Sequence, residues 1–246
     1  MAQLGLDFPT AWGRSYSARF VRNVLQSVAL RPLTKTVSSL EVLGLEHLDA
    51  NGPFIFAANH TSHLDTPLVL AALPKSITRR LVVAAAMDTF FMSRAKAAFT
   101  VLTFNAIPIE RHKVNRRSAQ LALELVEDHW NLLIFPEGGR TPDGDLQEFK
   151  GGAAYLAERS GASVVPTYIH DAGLLRGPKY AKAPKFVNAP YQRTHKIVVA
   201  FGEPLKAEEG ENLRRYGARI EAAVIDLGRS VSGDASYGVK PETDES

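Results

Sequence analysis

Short apolar runs recur along this chain at intervals filled by helical patterns, and that alternation restricts its fold more than any other feature. Ser39–Leu43 alternates in the manner of an edge strand. The runs 53–58, 81–86, 104–109, 131–135, 163–169 and 196–201 have the length and apolar content of buried strands. Pro108 inside one of them removes a ladder donor, which predicts an edge position or an irregular end. Between the runs lie helical spacings. The clearest covers 115–130, with Leu121, Leu123, Val126 and Trp130 on one side and Glu124, Glu127 and Asp128 on the other. Segment 88–102 predicts one helix capped by Asp88, and 150–160 and 211–229 predict two more. Strands alternating with helices imply an α/β fold: a single αβα-layered domain with a mostly parallel central sheet. A chain of 246 residues, 45% of them hydrophobic and 22% charged, is long and apolar enough to bury such a core.

One strand-to-helix connection is chemically distinct. After the run 53–58 come Asn59-His60-Thr61-Ser62-His63-Leu64-Asp65, and then Thr66-Pro67. Thr66 is expected to cap the next helix with Pro67 at its first position, and Pro74 to end it. A His and an Asp thus fall where open α/β folds place reactive groups, beyond the carboxyl end of a strand. A turn over five positions can bring the Asp65 carboxylate to one imidazole nitrogen, fixing the tautomer and freeing the other nitrogen as a base. The same spacing also suits an ordinary polar turn in which Asp65 accepts from backbone N–H groups.

The N-terminal region has a different character. Trp12, Tyr16, Phe20, Val24 and Val28, with Val21 and Leu25 beside them, keep helical spacing over a broad arc, and Arg14, Arg19 and Arg22 are interspersed. Such a helix suits a membrane interface, or a place on the protein's own core with its arginines reaching water. The net charge is only +3, but 1–35 carries Arg14, Arg19, Arg22, Arg31 and Lys35 against Asp7 alone. Residues 75–117 carry nine Lys or Arg against Asp88 and Glu110. A third basic stretch, with Lys179, Lys182, Lys185 and Arg193, lies in a long loop expected over 171–195. These zones imply an anionic partner such as a membrane surface or a phosphorylated molecule. Nucleic acid is disfavoured, because no basic stretch is interleaved with aromatic residues as a stacking platform. No apolar run approaches the length of a membrane span, and the N-terminus lacks a signal-peptide layout. The expected location is the cytoplasmic face of the cell membrane, without a spanning helix. With no cysteine, thiolate metal sites and disulfides are excluded.

Other strand ends carry further candidates: Arg111 after 104–109, Glu137 and Arg140 after 131–135. A parallel sheet gathers them on one rim with His60 and Asp65, a combination suited to base-assisted chemistry on a substrate bearing a phosphate or carboxylate. Together these residues resemble the glycerolipid acyltransferases, the family of 1-acylglycerol-3-phosphate and glycerol-3-phosphate acyltransferases. Asn59-His60-x-Ser62-x-x-Asp65 resembles the family's first motif, and Ile107-Pro108-Ile109-Glu110-Arg111 its second. Phe135-Pro136-Glu137-Gly138-Gly139-Arg140-Thr141 resembles the third, and Val164-Val165-Pro166 the fourth. The resemblance runs from about residue 40 to 205. Asn105 departs from the usual glycine of the second motif, and Gly139 and Thr141 from the usual threonine and serine of the third.

The resemblance implies that His60 takes the proton of an acceptor hydroxyl, which then attacks an acyl thioester, while Asp65 holds the imidazole. Arg111, Arg140 and Lys150 are then expected to bind the acceptor's phosphate, with Glu137 and Gly138 beside them and Asn59, Ser62 and Pro166 in support. The implied acceptor is lysophosphatidic acid, with glycerol-3-phosphate or another lysolipid as the alternative. The donor is acyl-CoA or acyl-carrier protein, with no resident cofactor and no metal. Two readings of another class compete. A metal hydrolase would use His60, His63 and Asp65, but the other histidines form no second ligand set. A lipid carrier would need no His–Asp pair. The expected division is an amphipathic membrane-interface helical segment over 1–35, a catalytic domain over 36–230 and a disordered tail over 231–246.

Overall fold

The computed structural model describes residues 5–32, 34, 39–48, 52–111, 116–141, 146–170 and 196–238. Its centre is a seven-stranded sheet built from β1 (Ser39–Leu43), β2 (Phe54–Ala58), β3 (Leu81–Ala86), β4 (Ala106–Ile109), β5 (Asn131–Ile134), β6 (Ser163–His170) and β7 (Lys196–Phe201). The spatial order is β1-β7-β6-β2-β5-β3-β4. Every neighbouring pair is parallel except β6 with β7. The strand carrying Pro108 lies at an edge, where the missing N–H leaves no gap in a central ladder. Pro166 sits inside the sheet, level with Ala57 of β2.

β2 is buried along its whole length, and its alternating side chains enter two different cores. Ile55 and Ala57 join Val82, Leu132 and Val164 beneath helices α6 (Arg116–Glu127), α7 (Gly152–Ser160) and α8 (Leu213–Ser232). Phe54 and Phe56 point the other way, onto Leu68, Val69 and Leu73 of helix α2 (Asp65–Ala72) and its end. The one-turn helix α3 (Lys75–Thr78) then leads into β3.

The segment after β3 departs from its pattern. It forms two helices, α4 (Met87–Phe90) and α5 (Arg94–Phe104), and the cap of the longer one is Ser93, whose hydroxyl accepts from the Lys96 N–H. Phe91 at the break is fully buried against Ala97 and Val101, so burying that ring interrupts the helix. α5 ends at Asn105 in the left-handed region, φ 53°, with its amide donating to the Leu81 carbonyl. That backbone conformation is the one glycine adopts freely, which accounts for an asparagine at a glycine position.

At the C-terminus, α8 continues to Ser232, and Tyr237 packs edge-on to Tyr168 with ring centroids 5.1 Å apart. The chain is therefore folded beyond residue 230. The expected basic loop over 171–195 and the last residues, 239–246, lie outside the described residues.

The N-terminal helix α1 (Tyr16–Leu25) continues into a π-helical turn, Gln26–Leu30. Its polarity is inverted relative to a helix on a core. Tyr16 is 81% exposed, Phe20 61% and Val28 72%, whereas Arg22 is 4% exposed. Arg22 donates through Nε to the Leu102 carbonyl at 2.9 Å and through Nη2 to those of Gly13 and Val101. Gln26 donates to the Thr103 carbonyl at 3.0 Å. α1 is thus fastened by polar side chains onto the carbonyls of the last turn of α5. Burial, with Arg14 and Arg19 nearby, lowers the Arg22 pKa to about 10, so the guanidinium stays charged.

Candidate active site

β2 delivers the loop 59–64 to the centre of the sheet's C-terminal rim. Asn59 secures its start: its side-chain oxygen accepts from the Ile169 N–H at 2.8 Å, and its amide donates to the Ile169 carbonyl at 3.1 Å. The turn then winds so that α2 begins at Asp65, with Leu64 at the cap position and Pro67 third in the helix. Thr66 is therefore inside the helix and not its cap. Ser62 shapes the turn, its hydroxyl accepting from the Leu64 N–H at 3.2 Å.

Asp65 is fully buried and works in both of the ways its spacing allowed. One oxygen, Oδ2, accepts from His60 Nδ1 at 2.8 Å and also from the Thr61 and Ser62 N–H groups at 2.7 and 2.8 Å. The carboxylate that folds the turn is the one that holds the imidazole. An N–H at Nδ1 puts the lone pair on Nε2, which has no hydrogen-bond partner among the described residues, and the His60 side chain is 20% exposed. The ring stacks on Phe135, centroids 4.1 Å apart, which fixes its plane.

Glu137 acts on the backbone of the same residue. It is buried, with Oε1 accepting from the His60 N–H at 2.6 Å and Oε2 accepting from the Thr141 hydroxyl at 2.6 Å and the Gln147 N–H at 3.0 Å. The Thr141 N–H returns a bond to the His60 carbonyl at 2.9 Å. Oε1 thus ties the loop after β5 to the loop after β2, while Oε2 braces the β5 loop itself through Thr141 and Gln147. Burial pushes the Glu137 carboxyl up from its ordinary range against the pull of these three donors.

The expected cations separate into committed and open groups. Arg111 donates to Asp88 Oδ2 at 2.7 Å and to the Thr89 hydroxyl at 3.4 Å. Lys150 donates to the Arg111 carbonyl at 2.8 Å, and its side chain lies against Gly138. Gly138 has φ 71°, and a Cβ there would strike the Lys150 side chain, so the position requires glycine twice over. At Gly139 a Cβ would meet nothing within 4 Å, so the loop has room for a larger residue. Arg140 is exposed and has no ion pair or hydrogen bond among the described residues. His63 and Lys96 lie nearby on either side of Phe90: the His63 ring meets it edge-on at 6.5 Å and the Lys96 ammonium stands 5.4 Å from its centroid. Burial, then the charges of Arg140, His60 and Lys96, lower the His63 pKa, and Asp65 opposes them.

Sequence reasoning missed Asp88, Phe135, Thr141, Lys96 and His63 as parts of this rim. Phe135 and Thr141 are the two ends of the motif that contains Glu137, and membership of that motif is the available signal. Asp88 carried a signal too, since it follows β3 at the same end of the sheet, but it was assigned to a cap. Among the described residues no three His, Asp or Glu side chains converge as a metal-binding group.

This rim, with a histidine backed by a buried aspartate and a glutamate tying two loops together, agrees with a profile match. The family described as Acyltransferase matches residues 39–170, more than half of the chain. The chain belongs to the acyltransferase family. Among curated relatives of this chain, the chloroplastic 1-acyl-sn-glycerol-3-phosphate acyltransferase BAT2 of Brassica napus is 29% identical over 159 residues, covering 63% of this chain and 42% of that protein. The 1-acyl-sn-glycerol-3-phosphate acyltransferase of Saccharomyces cerevisiae is 29% identical over 154 residues, 57% of this chain and 46% of that one. The matches thus span less than half the length of these relatives. The crystal structure of the 1-acyl-sn-glycerophosphate (LPA) acyltransferase PlsC from Thermotoga maritima superposes with a TM-score of 0.56 at 21% identity, covering 89% of this chain and 84% of that one. At that identity the likeness bears on the fold: both are α/β domains with a mostly parallel sheet.

Proposed function

We propose that this chain is an O-acyltransferase that moves a fatty acyl group from an acyl thioester, acyl-CoA or acyl-carrier protein, to the free hydroxyl of lysophosphatidic acid in phospholipid synthesis. The observation that carries the reading is the His60–Asp65 pair, bonded at Nδ1 with Nε2 open, on the rim that also presents Arg140. The names of the curated relatives support the choice of acceptor.

In this reading His60 Nε2 accepts the proton of the acceptor hydroxyl as its oxygen attacks the thioester carbonyl. The buried Asp65 carboxylate offsets the imidazolium that forms. The tetrahedral intermediate then expels the thiolate, which takes the proton held by His60 and leaves as the thiol. No acyl-enzyme forms, in keeping with a chain that has neither cysteine nor a Gly-x-Ser-x-Gly turn. Glu137 positions His60 through its backbone. Arg140 receives the acceptor's phosphate, with Arg111 and Lys150 supporting the loop beneath it.

The acceptor is a membrane lipid, and we assign α1 to the membrane interface at the cytoplasmic face of the cell membrane, with residues 1–35 as the attaching segment and the rest of the described chain as the catalytic domain. The exposed apolar stripe of α1 supports this. Among the described residues no helix is long and apolar enough to cross a membrane. The test is an acyl-transfer assay pairing each donor with lysophosphatidic acid and with glycerol-3-phosphate. His60-dependent acylation of lysophosphatidic acid is expected. Transfer that survives His60→Ala overturns the mechanism, and preference for glycerol-3-phosphate overturns the acceptor.

A further inference from the structure

Beneath α1, far from His60, a second basic site is built. Arg19, Asn23 and Arg79 wall a cleft of about 310 Å³ whose remaining lining is Tyr16 and Phe20. A smaller cavity of about 60 Å³ shares Asn23 and Arg79 and adds Arg31 and Lys75. Four cations thus line two adjoining cavities that meet at Asn23 and Arg79. None of the four forms an ion pair among the described residues, and Arg19 Nε is buried without a hydrogen-bond partner. Arg31 is held by one bond, to the Leu73 carbonyl at 3.1 Å. Arg79 lies two residues before β3, so the depression lies near the amino ends of the strands. The catalytic rim lies at their carboxyl ends, roughly 20 Å away for a strand of this length.

We infer that this depression binds the phosphate headgroup of an anionic phospholipid drawn from the bilayer surface. Four cations without carboxylate partners among the described residues, shared between the two cavities through Arg79, match a phosphate, which guanidinium groups take bidentately. Free phosphate would use those cations alone. The aromatic side chains of Tyr16 and Phe20 at the same mouth, both largely exposed, call for a ligand with an apolar part beside its charge. A phospholipid supplies both, with its glycerol and upper acyl region against the rings. The inference rests on the reading of α1 as the membrane-facing helix. It makes α1 selective for membrane charge where the apolar stripe alone would bind any bilayer.

The test uses the full chain with phosphatidylcholine vesicles, alone or containing phosphatidylglycerol, and measures co-sedimentation. R19E/R79E is expected to lose about tenfold or more in affinity for the anionic vesicles and little for the neutral ones. R214E/R215E makes the same change of charge at two exposed arginines on α8, and is expected to lose much less. Equal losses in the two double variants, or no loss in R19E/R79E, overturn the inference. So does inorganic phosphate that displaces the chain from anionic vesicles no better than chloride at matched ionic strength. A melting curve confirms that each variant is folded. Acylation of detergent-dispersed lysophosphatidic acid is read in parallel. If wild type and R19E/R79E both lack it, the acyltransfer reading fails while the vesicle result still decides the cleft.

Discussion

The candidate active-site rim and the N-terminal helix use the same residue types in opposite ways. On the rim, polar side chains close on one another: Asp65 takes three donors, Glu137 takes three, and Asn59 takes both backbone groups of Ile169. Aromatic groups there serve as walls, as Phe135 does for His60. On α1 the aromatic and aliphatic side chains face out, while Arg22 and Gln26 face in, toward carbonyls. The rim holds its geometry without a partner. The outer face of α1 leaves apolar surface in water, which is stable only when something covers it. The difference separates a region completed by folding from a region completed by binding.

The largest expected effect tests whether the rim's polar closure serves chemistry. His60→Ala should lower kcat by roughly 10²–10⁴-fold with the fold retained, measured by acyl transfer and thermal melting. Next comes the clamp. In Glu137→Gln an amide NH₂ must face a backbone N–H that was donating to carboxylate, at His60 or at Gln147. Leaving such a group unpaired costs about 1–3 kcal/mol. If that strain reaches the imidazole, kcat should fall roughly ten- to a hundredfold with KM little changed. A variant altered only in stability would show that Glu137 braces the loops without positioning the base.

How much of this was legible follows from how local each interaction is. The sheet could be read because each strand's apolar run reports its own burial, and the edge place of Pro108 followed from its missing N–H. The His60–Asp65 bond was legible because six consecutive residues of one turn contain it. That Asp65 fills both roles at once, and that α2 starts at Asp65 in place of Pro67, depend on how that turn winds, which spacing leaves open. The engagement of Arg111 by Asp88 was hidden, since the partners are 23 residues apart and meet only because β3 and β4 pair. The facing of α1 was hidden for another reason. Periodicity shows that a helix has two faces and is silent on which one meets the protein, and here the carbonyls at the end of α5 decided it.

Two further comparisons sharpen the contrast. Arg140→Ala should raise KM for lysophosphatidic acid by about ten- to a hundredfold, the worth of a charge-assisted bond to phosphate. Arg111→Ala should do less, because its guanidinium already answers Asp88. Equal effects would mean that substrate draws Arg111 from that pair. On α1, Arg22→Met should lower stability in denaturant by about 2–4 kcal/mol, since it leaves buried helix-end carbonyls without donors. Phe20→Ser, at an exposed site, should change stability by less than about 0.5 kcal/mol and show itself in vesicle binding.

The smallest expected effect is a titration, and it asks where the acceptor's phosphate sits. His63 is held below the ordinary histidine value by burial and by Arg140, His60 and Lys96, with Asp65 opposing. The unfolded chain therefore binds this proton more readily than the folded one. The associated stability is fully present above the unfolded value of about 6.5 and is lost as pH falls through the lowered folded value. His63→Gln should remove that slope from a series of melts. A dianionic phosphate resting on Arg140 would offset the very charges that repel the His63 proton, so binding should raise the His63 pKa in an NMR titration. Lysophosphatidic acid should raise it and a neutral lysolipid should not. A His63 pKa that ignores lysophosphatidic acid, while Arg140→Ala still raises KM, would put the phosphate on the far side of Arg140, toward Arg111, and give the Asp88 pair the part of a gate.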